Sequence, residues 1–202
     1  MDKKYFEIRW HGRGGLGAKT AALLLGEAFI QFGKYAQAFP EYGPERRGAP
    51  VTAYTRISDE PVRIHFGILN PDLIIVLDSR LLKRKDTLSG LDPNEGKLLV
   101  NYHGTPKDLK KEFDISLPYV CTVDASTIAL ETIGINLPNT PMLGAFIRVT
   151  GFLPLDAFIE FISKRLSKKY SEKLVKNNIE AIERAFREVK GVEKSKELEK
   201  IT

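Results

Sequence analysis

The chain has 202 residues, 43% of them hydrophobic and 28% charged, the balance of an ordinary globular domain that can bury a core without disulfides or metals. Its formal charge of +5 owes much to Lys164, Arg165, Lys168, Lys169, Lys173 and Lys176, but glutamates are mixed through that region and no aromatics interleave. A solvated helical face is expected there, and no nucleic-acid partner.

A lone Cys121, set in an apolar run, cannot ligate an iron–sulfur cluster or close an internal disulfide, and His11, His65 and His103 have no metal-ligand spacing. No apolar run reaches membrane length, and Met1-Asp2-Lys3-Lys4 leads into a strand without a signal-peptide pattern. The expectation is a cytoplasmic protein with no membrane partner and no redox metal of its own.

Tyr5 to Trp10 alternates as a first strand, and Leu16 to Phe32 reads as a helix ended by Gly33. Between them lies His11-Gly12-Arg13-Gly14-Gly15-Leu16-Gly17, whose glycines at 12, 14 and 17 fit G-x-G-x-x-G. Such glycines allow a tight turn and a close backbone approach to an anion at the following helix N-terminus. A structural turn alone would use the same residues. The spacing misses a P-loop, because Ala18 moves Lys19 and Thr20 one position late, roughly 100° around the helix.

Tyr35 to Phe39 is a second strand, so a parallel pair with a right-handed crossover is expected, its glycine turn at the carboxyl edge where open α/β sheets bind ligands. Glu41-Tyr42-Gly43-Pro44-Glu45-Arg46-Arg47-Gly48 lies within a stiff loop bounded by Pro40 and Pro50. Arg46 and Arg47 are candidates for gripping a phosphate or a partner carboxylate. Glu41 stands about where a dinucleotide fold keeps its ribose carboxylate, although the flanking prolines are foreign to that fingerprint.

Val51 to Ile57 and Val62 to Phe66 alternate around Ser58-Asp59-Glu60-Pro61, a hairpin signal. Leu73 to Leu77 is a continuous apolar run and reads as a buried parallel strand ending at Asp78, a cap or turn residue at the place where a P-loop enzyme could keep a magnesium-binding carboxylate. Lys97 to Val100 and Tyr119 to Val123 supply two more strands, joined by a charged connection over Lys107 to Phe113. Asp124 caps a helix through about Thr132, and Thr140 is expected to cap a helix starting at Pro141. Gly144 and Ala145 suit close helix packing, and apolar stripes at Leu155, Phe158, Ile159, Ile162 and at Val175, Ile179, Ile182, Phe186, Val189 mark two C-terminal helices. From Gly191 onward the chain is charged and is expected to fray.

The sum is a single Rossmann-like α/β domain over residues 1–190, with a mostly parallel sheet, an added β-hairpin and C-terminal helices, followed by a charged tail over 191–202. Four segments in this order, Tyr5 to Gly17, Phe39 to Pro50, Pro71 to Asp78, and Asn139 to Ala145 with Val149-Thr150-Gly151, resemble the gamma part of the 2-oxoacid:ferredoxin oxidoreductases. Arg46-Arg47-Gly48-Ala49-Pro50 looks more like the pyruvate and branched-chain members than the 2-oxoglutarate ones.

The resemblance implies a chain without catalytic residues that serves oxidative decarboxylation of pyruvate to acetyl-coenzyme A with reduction of ferredoxin. Its partners would be alpha, beta and delta chains, which carry thiamine diphosphate, magnesium and [4Fe-4S] clusters. Gly12, Arg13, Gly14, Gly15, Gly17, Arg46, Arg47, Asn139 and Thr140 are then expected to contact coenzyme A or a sister chain. Glu41, Tyr42, Gly43, Pro44, Glu45, Gly48 and Met142 are expected at the subunit interface. The branched-chain enzyme is one alternative. The others are a stand-alone dinucleotide-binding oxidoreductase and a P-loop-like nucleotide hydrolase.

Overall fold

The computed structural model describes residues 4–41, 48–64 and 66–192. Among the described residues six strands form one sheet: β1 (Phe6–Arg13), β2 (Tyr35–Pro40), β3 (Pro50–Ser58), β4 (Leu73–Val76), β5 (Lys97–Asn101) and β6 (Tyr119–Val123), in the spatial order β2-β3-β1-β4-β5-β6. The β1–β4, β4–β5 and β5–β6 pairs are parallel, whereas β3 runs antiparallel to both β1 and β2. Leu73, Ile74, Ile75 and Val76 are fully buried, as an uninterrupted apolar strand covered on both faces must be.

One face carries α1 (Ala18–Gln31), α3 (Ala125–Thr132), α4 (Asn139–Thr150), α5 (Leu155–Ser167) and α6 (Glu172–Glu188) over a core that includes Ile8, Trp10, Phe29, Met142 and Phe146. The other face carries a short 3-10 helix (Ser79–Lys83) and α2 (Pro106–Phe113) over Ile74, Val76, Leu98 and Val100. Trp10 is fully buried and its indole N–H donates to Thr55 Oγ1 at 3.0 Å, which in turn donates to the Ala22 carbonyl at 3.1 Å. The largest core side chain thus brings its one polar atom in already paired.

Several expectations change. β2 points the same way as β1 but does not pair with it, because β3 inserts between them. The hairpin expected from Val51–Ile57 with Val62–Phe66 is replaced by one from β2 and β3. Both edges of β3 are already filled by β1 and β2, so the segment after it has no strand to join, and residues 61–64 are irregular.

Lys107–Phe113 is helical, since Thr105 and Asp108 form a reciprocal capping box and Pro106 opens the first turn. Its single buried anchor is Leu109, which explains the weak periodicity. α4 starts at Asn139 behind Pro138, with no side-chain cap, so Thr140 lies inside the first turn and caps nothing. Asp124 does cap α3, accepting from the Thr127 N–H at 3.1 Å.

Gly144 is where α4 meets α6: a Cβ there would lie 2.1 Å from the Ile182 carbonyl oxygen. Lys190 pairs with β6 just before the expected charged tail, of which residues 193–202 lie outside the described residues.

Candidate functional site

β1 outlasts its apolar run because β3 pairs with it as far as Arg13, opposite Pro50. Gly12 is therefore a strand residue rather than part of the turn, and its glycine is needed for a different reason. A Cβ at Gly12 would stand 3.0 Å from the Ala18 Cβ, so the strand and the start of α1 touch there. The turn proper is Gly14 to Gly17. It is tied to the return of the proline-rich loop by Gly14 N–H to the Ala49 carbonyl (2.8 Å) and Gly48 N–H to the Gly14 carbonyl (3.0 Å).

Gly15 (φ +100°) and Gly17 (φ +79°) both hold left-handed backbone. A Cβ on Gly15 would meet no described residue within 4 Å, whereas one on Gly17 would meet the Asn139 side chain at 2.7 Å. Asn139 is only 4% exposed, and its Oδ1 is buried without a hydrogen-bond partner among the described residues. Among the described residues neither α1 nor α4 has a side-chain cap, so first-turn amides of both helices and two positive dipole ends lie at one spot.

Arg13 leaves β1 on the opposite face, donating from Nε to Asp78 Oδ2 at 2.6 Å and from its guanidinium to the Gly48 carbonyl at 3.1 Å. Asp78, at the end of β4, also receives Arg80 through Nε (2.9 Å) and the other guanidinium arm (2.8 Å). Burial pulls the Asp78 carboxyl upward, but the hydrogen bonds from Arg80 and Arg13 outweigh it and hold it below its ordinary value. The chain after β1 crosses to one face and the chain after β4 to the other, so this ion pair spans the switch point of the sheet.

Beside it opens a cleft of about 210 Å³ lined by Leu16, Asp78, Arg80, Asn101, His103 and Ser126. Asn101 Nδ2 donates to the Leu77 carbonyl at 2.9 Å and to Ser126 Oγ at 2.8 Å, while its Oδ1 accepts from the Ser126 N–H at 3.1 Å. That one side chain ties together the ends of β4, β5 and β6. The Arg13–Asp78–Arg80 group and the cleft were not singled out from sequence; a polar Asn101 closing the run Leu98–Val100 was the available signal.

Of the residues expected to act, Arg13, Gly14, Gly15, Gly17, Gly48 and Asn139 come together, and Glu41 lies exposed just beyond β2 with its N–H on the Thr52 carbonyl at 2.9 Å. Thr140 is 7% exposed, and Met142 is fully buried in the core, so its side chain has no surface to offer a sister chain. Tyr42, Gly43, Pro44, Glu45, Arg46 and Arg47 lie outside the described residues. Lys19 is exposed on α1.

His11, on the face of β1 shared with Arg13, accepts from Arg9 Nε at 3.1 Å. Burial, then the Arg9 charge, push its pKa down to about 4, so the ring is a neutral acceptor. Among the described residues, no three His, Cys, Asp or Glu stand close enough to hold a metal ion. No helix among them is long and apolar enough to cross a membrane.

Residues 7–188 match the family described as pyruvate ferredoxin/flavodoxin oxidoreductase. The chain is 48% identical over 191 residues to pyruvate synthase subunit PorC of Thermotoga maritima, covering 93% of this chain and 96% of that one. It is 44% identical over 180 residues to the pyruvate/ketoisovalerate oxidoreductases common subunit gamma of Thermococcus litoralis, covering 89% and 95%. The crystal structure of the pyruvate oxidoreductase subunit PorC from Thermotoga maritima superposes with a TM-score of 0.80 at 45% identity, over 93% of this chain and 98% of that one.

Proposed function

The chain belongs to the pyruvate ferredoxin/flavodoxin oxidoreductase family, and from that premise we propose that it is the gamma subunit of a pyruvate:ferredoxin oxidoreductase, inactive by itself. The assembled enzyme converts pyruvate, coenzyme A and oxidised ferredoxin to acetyl-coenzyme A, carbon dioxide and reduced ferredoxin. Thiamine diphosphate, magnesium and the [4Fe-4S] clusters belong to the alpha, beta and delta chains. One cysteine, buried in β6, cannot ligate a [4Fe-4S] cluster.

The observation that carries the reading, beyond family membership, is the convergence of the glycine turn, the loop return at Gly48 and the start of α4 on the carboxyl edge of the sheet. In our reading this edge docks on alpha and beta. Uncapped amides from α1 and α4 also favour an anion, which suits the pyrophosphate or 3′-phosphate of coenzyme A, with Arg46 and Arg47 supplying charge.

Arg47→Ala in the reconstituted enzyme tests the second part. Losing a charge-assisted bond of about 1.5 to 3 kcal/mol raises the KM for coenzyme A by roughly ten-fold or more while the pyruvate KM barely moves. An unchanged coenzyme A KM in an intact complex would confine this surface to assembly.

A second reading rests on the Thermococcus litoralis relative, whose name gives it to both a pyruvate and a ketoisovalerate enzyme. If this chain is likewise shared, a tagged copy pulled from its host brings down two sets of alpha and beta chains rather than one.

A further inference from the structure

The two outer strands of the sheet are β2 and β6, and an outer strand offers unpaired N–H and C=O groups to any chain that can lie beside it. β6 is not left open. Beyond α6, Lys190 N–H donates to the Thr122 carbonyl at 2.8 Å and the Thr122 N–H donates to the Lys190 carbonyl at 3.1 Å, a reciprocal antiparallel rung.

The residues around that rung fit it closely. Val189 and Val192 pack on the main core, fastening both ends of the segment. Gly191 holds φ +83°, and a Cβ there would lie 2.4 Å from the Val120 carbonyl oxygen and 2.7 Å from Pro106 Cγ. Only glycine meets both the conformation and the space. Lys190, exposed on the outermost position, puts a charge where a further strand would have to approach.

We propose that Val189–Val192 is a built edge guard, which occupies β6 so that a second copy of this chain cannot pair its own β6 there. The inference is independent of the docking surface above, which lies at the carboxyl ends of the strands rather than along the outer edge.

Three forms of the chain test it: the full chain, a chain ending after Val192, and a chain ending after Glu188. Sedimentation velocity across a concentration series and amide exchange at Thr122 are the readouts. The first two forms behave alike, with Thr122 protected and no association beyond that of the full chain. The form ending after Glu188 exchanges Thr122 at least about ten-fold faster and self-associates as concentration rises. Gly191→Val in the full chain does the same should the short form not fold. A chain ending after Glu188, or a Gly191→Val chain, that associates no more than the full chain would overturn the proposal, whatever its Thr122 exchange.

Discussion

Arg13 and Asp78 meet at 2.6 Å across the boundary between β1 and β4, and the same guanidinium reaches the Gly48 carbonyl. The carboxylate therefore anchors the return of the proline-rich loop as well as the arginine. Asp78→Asn leaves Arg13 partly buried without its counter-charge. Because the Arg13 side chain is 32% exposed, the loss is set at about 1 to 3 kcal/mol, below the cost of breaking a fully buried pair. Urea unfolding of the isolated chain measures it.

The pH dependence has a definite sign. Asp78 titrates below its unfolded value of about 3.9, so its contribution is complete above that pH and is lost as pH falls further. In the asparagine variant the acid limb below about pH 4 flattens.

Gly17 and Gly15 separate backbone strain from collision. Among the described residues nothing lies within 4 Å of the carbon added by Gly15→Ala, which therefore meets only the left-handed φ, at about 1 to 2 kcal/mol. Gly17→Ala carries the same strain and also strikes Asn139, so it costs on the order of 1 to 3 kcal/mol more. Asn139→Gly in the Gly17→Ala background restores part of the second term and none of the first. Equal midpoints for the two single variants in chemical denaturation would refute the close approach of α1 and α4.

His11 gives the chain a second pH limb. Its folded pKa of about 4 lies below an unfolded value near 6.5, so the unfolded state binds the extra proton between these values. Stability is complete above about pH 6.5 and falls, by at most about 3 kcal/mol, as pH drops toward 4. His11→Gln removes that slope. An NMR titration that finds His11 charging near pH 6.5 would contradict the buried, arginine-facing environment.

Much of this was legible in the sequence because single positions leave little choice. Leu73–Leu77 has no polar side to turn outward, and Asp124 stands where the first amides of α3 need an acceptor. Gly144 was read as a close-packing residue, and the Ile182 carbonyl fills the space. β3 was legible as a strand but its partners were not, because alternation fixes which face is wet and not which neighbour is paired, and β1 and β2 take its two edges. α2 escaped because one buried leucine makes no stripe, although Thr105 and Asp108 spelled its start.

The site was half legible. Glycines that bend the chain can be seen in order, and Arg13 was marked as a coenzyme A or subunit contact, but its pairing with Asp78, 65 residues away in sequence, was not legible. Asn139 gave no hint that its oxygen would be buried without a partner among the described residues. Met142, expected at the interface, is buried in the core of the chain by itself, for apolar residues at a helix start serve interfaces and cores alike.

The central claim is that this chain does its work only in company. Purified alpha, beta and delta chains, assayed for pyruvate- and coenzyme A-dependent ferredoxin reduction with and without it, test that claim most directly. Full turnover only on its addition, with none from the chain alone, is the predicted result. Turnover by the isolated chain, or an undiminished rate in its absence, would contradict the account.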